Sequence, residues 1–211
     1  MNSFVKAIAI TALGCLVGQM CGCASSSLVD KWHDPGYHAA PLGKMLVIAI
    51  RKNAIQRRIW EDAFASELEK CAAAATPSYT LFPDAPPDTD HVIAAVQANG
   101  FDGILVILRL PSEKDFQYIH GNISSEQDRR YNFYWQRYWS YYREIEHSGY
   151  LDSQTVAISA IDVATTGNNG RLIWGATSRT PDPGSVTDLQ RGIAGLVISD
   201  LVRRSILNPK K

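Results

Sequence analysis

Two uninterrupted apolar runs constrain this chain more than any other feature. Met45-Leu46-Val47-Ile48-Ala49-Ile50 and Ile104-Leu105-Val106-Ile107-Leu108 lack the alternation of a strand with one wet face. Such strands are buried on both sides, and a sheet built on them needs helices to cover it. The segments between them supply the helices. Asn53 with Gln56 three residues on forms a capping-box start, and Ile59, Trp60, Ala63, Phe64, Leu68, Cys71, Ala72 and Ala75 then recur at helical spacing until Thr76-Pro77. Ser78 to Phe82 reads as a short strand. A helix capped at Asp88 or Thr89 follows, with Val92, Ile93 and Val96 inward, and it ends at Asn99-Gly100, a pair suited to the left-handed conformation.

Beyond residue 150 the period changes from helical to alternating. Val156, Ile158 and Ala160 share one face of a strand, and Leu172, Trp174 and Ala176 share one face of the next. Thr166-Gly167-Asn168-Asn169-Gly170 between them is a turn signal, so the pair reads as an antiparallel hairpin. Ser185-Val186-Thr187-Asp188 opens a last helix carrying Leu189, Ile193, Leu196, Val197 and Leu201. The expected fold is α/β: a single three-layer domain with a mixed sheet, β-α-β-α-β followed by a hairpin, a C-terminal helix and an aromatic-rich insertion. The expected boundaries are 1–22 for a signal peptide, 23–43 for a lipidated cysteine and tether, and 44–208 for the domain, with the insertion at 111–150.

The N-terminus carries the address. Lys6 is the single charge before Gly22, and the apolar run Ala7 to Val17 follows it in the secretory pattern. Met20-Cys21-Gly22-Cys23 resembles the lipobox of bacterial lipoproteins, which implies acylation of Cys23 and a membrane partner through the lipid anchor. The box departs from the pattern at Met20 and Cys21, and Ala12-Leu13-Gly14-Cys15 is a second box with a shorter apolar run. Ala24-Ser25-Ser26-Ser27 suits a tether, and Ala24 in place of an aspartate after Cys23 implies, by the enterobacterial sorting rule, the outer membrane. Processing then leaves Cys71 as the one thiol, on the apolar face of a helix, where burial is expected.

Composition narrows the partners. The 211 residues hold 21 basic and 21 acidic side chains, and removing residues 1–22 takes away Lys6 alone. A chain this neutral offers no global field for nucleic acid, and its slightly negative mean hydropathy excludes a polytopic membrane protein. No Gly-x-Ser-x-Gly, Gly-x-Gly-x-x-Gly, Gly-x-x-x-x-Gly-Lys or His-Glu-x-x-His motif occurs, so no catalytic residue, cofactor or metal is assigned. Three weaker clusters have plainer explanations. His33, Asp34 and His38 stand in a Pro/Gly-rich lead-in with nothing to fix ligand geometry, and Asp88-Thr89-Asp90-His91 is explained by a helix first turn. Glu144, Glu146 and His147, the acid and base groups an envelope hydrolase would use, read as surface charges.

The sharper feature is aromatic. Tyr131, Phe133, Tyr134, Trp135, Tyr138, Trp139, Tyr141 and Tyr142 are eight of the chain's 20 aromatic residues, interleaved with Arg129, Arg130, Arg137 and Arg143. Helical spacing collects Tyr131, Tyr134, Trp135, Tyr138, Trp139, Tyr142 and Ile145. Alternation collects Tyr131, Phe133, Trp135, Trp139 and Tyr141, and the Ser148-Gly149 turn favours this extended arm. Both faces stay aromatic either way. That composition suits an interaction surface for a second copy of the chain, another envelope protein or a glycan, with Trp135 and Trp139 as stacking platforms in the last case.

The lipobox, Trp32 with Asp34-Pro35, the strand Met45 to Ile50, Arg58 and Glu61 on the first helix, Pro77-Ser78-Tyr79 and Leu172-Ile173-Trp174 together resemble uncharacterised bacterial envelope lipoproteins. Their α/β domain is similar to the N-terminal domain of TolB and to the polysaccharide-export lipoprotein PelC. The resemblance implies a non-catalytic accessory or assembly role in the envelope, in some cases as a ring of subunits, and brings no catalytic residues with it.

Overall fold

A computed structural model describes residues 26–110, 156–167, 170–181 and 186–209. In chain order the elements are β1 (Ser27–His33), β2 (Lys44–Ile50), α1 (Ala54–Glu69), β3 (Ala74–Pro77), a 3-10 turn (Ser78–Thr80), α2 (Thr89–Asn99), β4 (Gly103–Leu110), β5 (Val156–Thr165), β6 (Arg171–Pro181) and α3 (Val186–Arg203). The strands form one open mixed sheet in the order β1-β6-β5-β4-β2-β3. β3, β2 and β4 are parallel, while β4, β5, β6 and β1 are antiparallel neighbours. The expected α/β class, mixed sheet, hairpin and C-terminal helix are all present. Among the described residues no helix is long and apolar enough to cross a membrane.

The two apolar runs are β2 and β4, adjacent at the centre with Ile50 opposite Leu108. Each supplies both layers of the core. Met45, Val47, Ala49, Leu105 and Ile107 face a cluster built with Trp60, Phe64 and Leu68 of α1 and Ile193, Val197 and Leu201 of α3. Leu46, Ile48, Ile50, Ile104, Val106 and Leu108 face the other side, where Val92 of α2 packs. The helix ends are set by local chemistry. Asn53 Oδ1 accepts the Gln56 amide at 3.0 Å, Asp88 Oδ1 accepts the His91 amide at 2.9 Å, and Gly100 closes α2 in the left-handed region at φ 64°. Cys71 is fully buried in the α1/α3 cluster.

Five local expectations are corrected. Residues 27–33, expected within the tether, form β1 and pair antiparallel with β6, so the folded body begins before Lys44. The alternation was hidden by an irregularity between Val29 and Trp32, where Asp30 takes φ 49°. α1 ends at Glu69 rather than running to Ala75. Ala72 turns the chain at φ 57°, and the extended segment is Ala74–Pro77 while Ser78–Thr80 is a 3-10 turn. Leu172 and Trp174 lie on opposite sides, because a register shift between Val163 and Ala164 sends Leu172 against the α2 layer and keeps Ile173 and Trp174 with α1 and α3. On α3 the buried stripe is Ile193, Ala194, Val197, Ile198 and Leu201, and Leu196 is exposed.

α3 is fastened to the sheet by a buried carboxylate. Asp200 Oδ2 accepts Trp174 Nε1 at 2.9 Å and Arg204 Nε at 2.7 Å, and Arg203 Nη2 reaches Oδ1 at 2.5 Å. Burial alone pushes the Asp200 carboxyl up, but the hydrogen bonds from Arg204 and Trp174 and the charges of Arg204 and Arg203 outweigh it and hold it below the usual aspartate value. A depressed carboxyl contributes stability that is present above its unfolded pKa and lost as pH falls through the folded one. Urea unfolding should therefore show the stability of the native chain falling more steeply below about pH 4 than that of Asp200→Asn, which at neutral pH costs about 2 kcal/mol in lost charge-assisted hydrogen bonds.

Candidate functional site

The most connected polar group lies inside the fold. Glu61, on the face of α1 that meets β2, is wholly buried. Its Oε1 accepts the Ala49 amide at 3.0 Å, Arg57 Nε at 3.0 Å and Ser78 Oγ at 2.7 Å, and its Oε2 accepts the Tyr79 amide at 2.8 Å. Arg57, one turn earlier and also buried, donates to Ser78 Oγ at 2.8 Å and to the Phe82 carbonyl at 2.7 Å. The two charges neutralise each other, and the network joins the central strand, α1 and the 3-10 turn. It is a structural clasp with no open edge for a substrate. Tyr79 adds an outer layer, its hydroxyl donating to Asp62 at 2.7 Å while Arg58 stands 5.5 Å over its ring.

The C-terminal ends of β2 and β4 present different chemistry. Here the strand order reverses: β2 runs through α1 outward to β3, and the chain returns through α2 to β4 on the other side of β2. Ligand sites of open α/β sheets lie at such a switch point, beyond the carboxyl ends of the strands. Arg51 follows β2 directly and is 5% exposed, with its guanidinium 4.6 Å from the Trp60 ring centroid and Nη2 donating to Ser159 Oγ at 3.2 Å. Arg109 in β4 sits opposite Ser159 of β5. Burial, then the charge of Arg109, lowers the Arg51 pKa from the ordinary guanidinium value to about 9. The N-terminus of α1 opens two residues later, adding its positive dipole end.

The sequence-derived candidates distribute as follows. Cys23, the eight rings Tyr131, Phe133, Tyr134, Trp135, Tyr138, Trp139, Tyr141 and Tyr142, and Glu144, Glu146 and His147 lie outside the described residues. His33, Asp34 and His38 are not assembled as a ligand set. Asp34 is buried, accepts the Gly36 amide at 2.8 Å and pairs with Arg171, while His33 and His38 are exposed. Among the described residues no three His, Cys, Asp or Glu side chains are grouped to hold a metal ion. Asp88 is a cap that also contacts His91 Nδ1 at 2.6 Å, and its carboxyl is held below the usual value first by the His91 amide. Arg51, Arg57 and Arg109 were not singled out from sequence, although both apolar runs end in an arginine at the same register position.

No family model matches the chain, and no curated protein matches it. Similar solved structures include the PelC dodecamer from Paraburkholderia phytofirmans, at 10% identity and TM-score 0.46 over 88% of this chain and 99% of that one. A leucine-to-methionine variant of that PelC dodecamer, from the same organism, aligns at 10% identity and TM-score 0.44 over 84% of this chain and 98% of that one.

The clasp makes a direct prediction. Glu61→Ala leaves Arg57 charged and unpaired in the interior and should cost about 3–5 kcal/mol in urea unfolding, against about 1–3 kcal/mol for Ser78→Ala, which removes one bridging hydroxyl.

Proposed function

We propose that this chain is a non-catalytic lipoprotein of the outer membrane, facing the periplasm, anchored through Cys23 and acting through its aromatic segment in self-association or in docking to another envelope component. The observation that carries the reading is where that segment is inserted. Residues 111–155 connect β4 to β5, and the two strands they connect are hydrogen-bonded neighbours, with Leu110 opposite Ile158. A tight turn would suffice to join them. The chain instead spends 45 residues there, eight of them the rings between Tyr131 and Tyr142. Binding loops and active-site lids are one main class of connections this long, and Tyr and Trp dominate binding hot spots.

The sheet supports this arrangement. Ser27 pairs with Arg179, Arg179 with Ile158 and Ile158 with Leu110, so the first residue of β1 and both ends of the insertion lie at one end of the sheet. Four residue steps lead from Cys23 to Ser27, a reach of at most about 14 Å. An anchor at Cys23 holds that end, with both attachment points of the segment, close to the bilayer. A second reading, a module binding peptidoglycan or exported polysaccharide, draws on Trp135 and Trp139 with Arg137 between them, a combination suited to sugar stacking and hydrogen bonding.

Cys23→Ser should abolish incorporation of labelled palmitate and leave an unprocessed precursor, as seen by mass. A photo-crosslinker placed at Trp135 or Trp139 of the full chain in cells should capture a second copy or a single envelope protein, and replacing Tyr134, Trp135, Tyr138 and Trp139 by Ala should remove the adduct. A monomer in sedimentation with no adduct at either position would end the docking reading. Glycan pull-down unchanged by the double Trp→Ala variant would end the second.

A further inference from the structure

The two strands buried on both faces each end in an arginine, and the register between them makes the two side chains neighbours. Ile50 pairs with Leu108 in the parallel ladder, so Arg51 and Arg109 come next on adjacent strands and point to the same side. Neighbouring strands are about 4.8 Å apart, a spacing at which like charges repel. An arginine this deep is normally matched by a carboxylate or by carbonyl oxygens, as Arg57 is by Glu61 and Phe82. Arg51 is not. Its Nη2 meets a serine hydroxyl, while Nε and Nη1 are buried with no hydrogen-bond partner. The ion pairs of the described residues all involve other side chains, so neither arginine is neutralised there.

Among the described residues, the other groups that contact the Arg51 side chain are neutral. Trp60 covers one face of the Arg51 guanidinium through a cation–π contact, which orients the group without supplying negative charge. Ser159, itself buried, holds Nη2 from the β5 side. The amino end of α1 points its free N–H groups toward the same sheet end. Such a constellation of an unpartnered planar donor, a second arginine beside it and a helix N-terminus is suited to an anion. We propose that the C-terminal ends of β2 and β4 form an oxyanion site, in which Arg51 and Arg109 bind a phosphate or carboxylate group and Ser159 and Trp60 hold the Arg51 guanidinium in position.

The geometry assigns distinct roles to the two arginines. Arg51 is rigid: its stacking and its bond to Ser159 leave the unpartnered donors in fixed positions, so it sets the place of the bound oxygen atoms. Arg109 is half-buried and adds the second charge from the solvent side. The shared chemistry is a phosphate or carboxylate oxygen, available from a soluble anion or from a phospholipid headgroup. The site rests on Arg51, Arg109 and Ser159 and does not depend on the lipid anchor or on the aromatic segment.

The experiment is thermal unfolding of the full chain in non-ionic detergent at constant ionic strength, with inorganic phosphate or acetate replacing chloride. Phosphate should raise Tm in a saturable manner. Arg109→Met should weaken the apparent phosphate affinity about tenfold, and Arg51→Met should abolish the response. If Arg51→Met does not fold, Arg51→Lys, which keeps the charge and loses the planar fork, should weaken the response by a similar factor. Co-sedimentation that is stronger with phosphatidylglycerol than with phosphatidylcholine vesicles, with the difference lost in Arg109→Met, assigns the anion to a lipid headgroup. A phosphate shift with equal binding to the two kinds of vesicle assigns it to a soluble anion. A native Tm that responds to neither phosphate nor acetate, or a phosphate response equal in the native chain and in Arg109→Met, overturns the proposal.

Discussion

The fold depends on one buried carboxylate. Glu61 receives donors from three separate pieces of chain: the amide of Ala49 in the central strand, the Arg57 side chain one turn back on α1, and the hydroxyl and amide of Ser78 and Tyr79 in the turn after β3. Apolar packing alone would let α1 slide or rotate over the flat aliphatic face of β2 and β4. A charge that must be satisfied in the interior permits one position only, since any shift leaves a buried ion without its donors. That is why a short strand such as β3, four residues long and closed by Pro77, has a defined place at the sheet edge. The turn that follows it is held by Glu61 and Arg57 at the same time.

Arg57 and Arg51 sit six residues apart and are buried to a similar degree, and the contrast between them is informative. Arg57 is surrounded by acceptors, so its charge strengthens the clasp. Arg51 faces an aromatic ring, a hydroxyl and another arginine, so its charge is a cost to the isolated fold, and its lowered pKa is the expression of that cost. Both residues lie on the α1 side of the sheet. The difference is position: Arg57 is beneath the 3-10 turn, where a carboxylate, a carbonyl and a hydroxyl oxygen are available, whereas Arg51 is at the strand end, where the one acceptor it meets is the Ser159 hydroxyl of β5.

Much of the architecture was legible because it rests on strong local signals. The apolar runs gave β2 and β4, Asn53 and Asp88 gave the helix starts, and Asn99-Gly100 gave the end of α2. β1 was not legible. An edge strand buries little, and its polar centre at Asp30-Lys31 coincides with an irregularity that breaks the period of two. The shift near Val163 defeated the alternation reading of Leu172 for the same reason, as one extra residue moves every later side chain to the other face. Glu61 and Tyr79 were already marked by their place in a recurring pattern, yet their chemistry became visible only when residues 17 and 18 positions apart met. The arginine pair needed the parallel register, which sequence alone does not supply.

The sheet topology concentrates unlike features at a single end. The strand ends of β2 and β4, the amino ends of α1 and α2, the start of β1 and both attachment points of the segment between β4 and β5 all lie there, because a parallel βαβ unit returns each helix start to the carboxyl end of its strand. The opposite end carries the tight connections: the Asp102 carboxylate accepts the Gly43 and Lys44 amides at 2.8 and 3.0 Å, and the Thr166 amide donates to the Asp102 carbonyl at 3.1 Å. One end is thus closed by short hydrogen-bonded turns and the other holds the long insertion, the N-terminal strand and the unneutralised arginines. On the proposed reading the lipid anchor restrains that second end within a few residues of the membrane. The same short reach that would bring it near the bilayer would limit how far the domain can rotate away from the membrane surface.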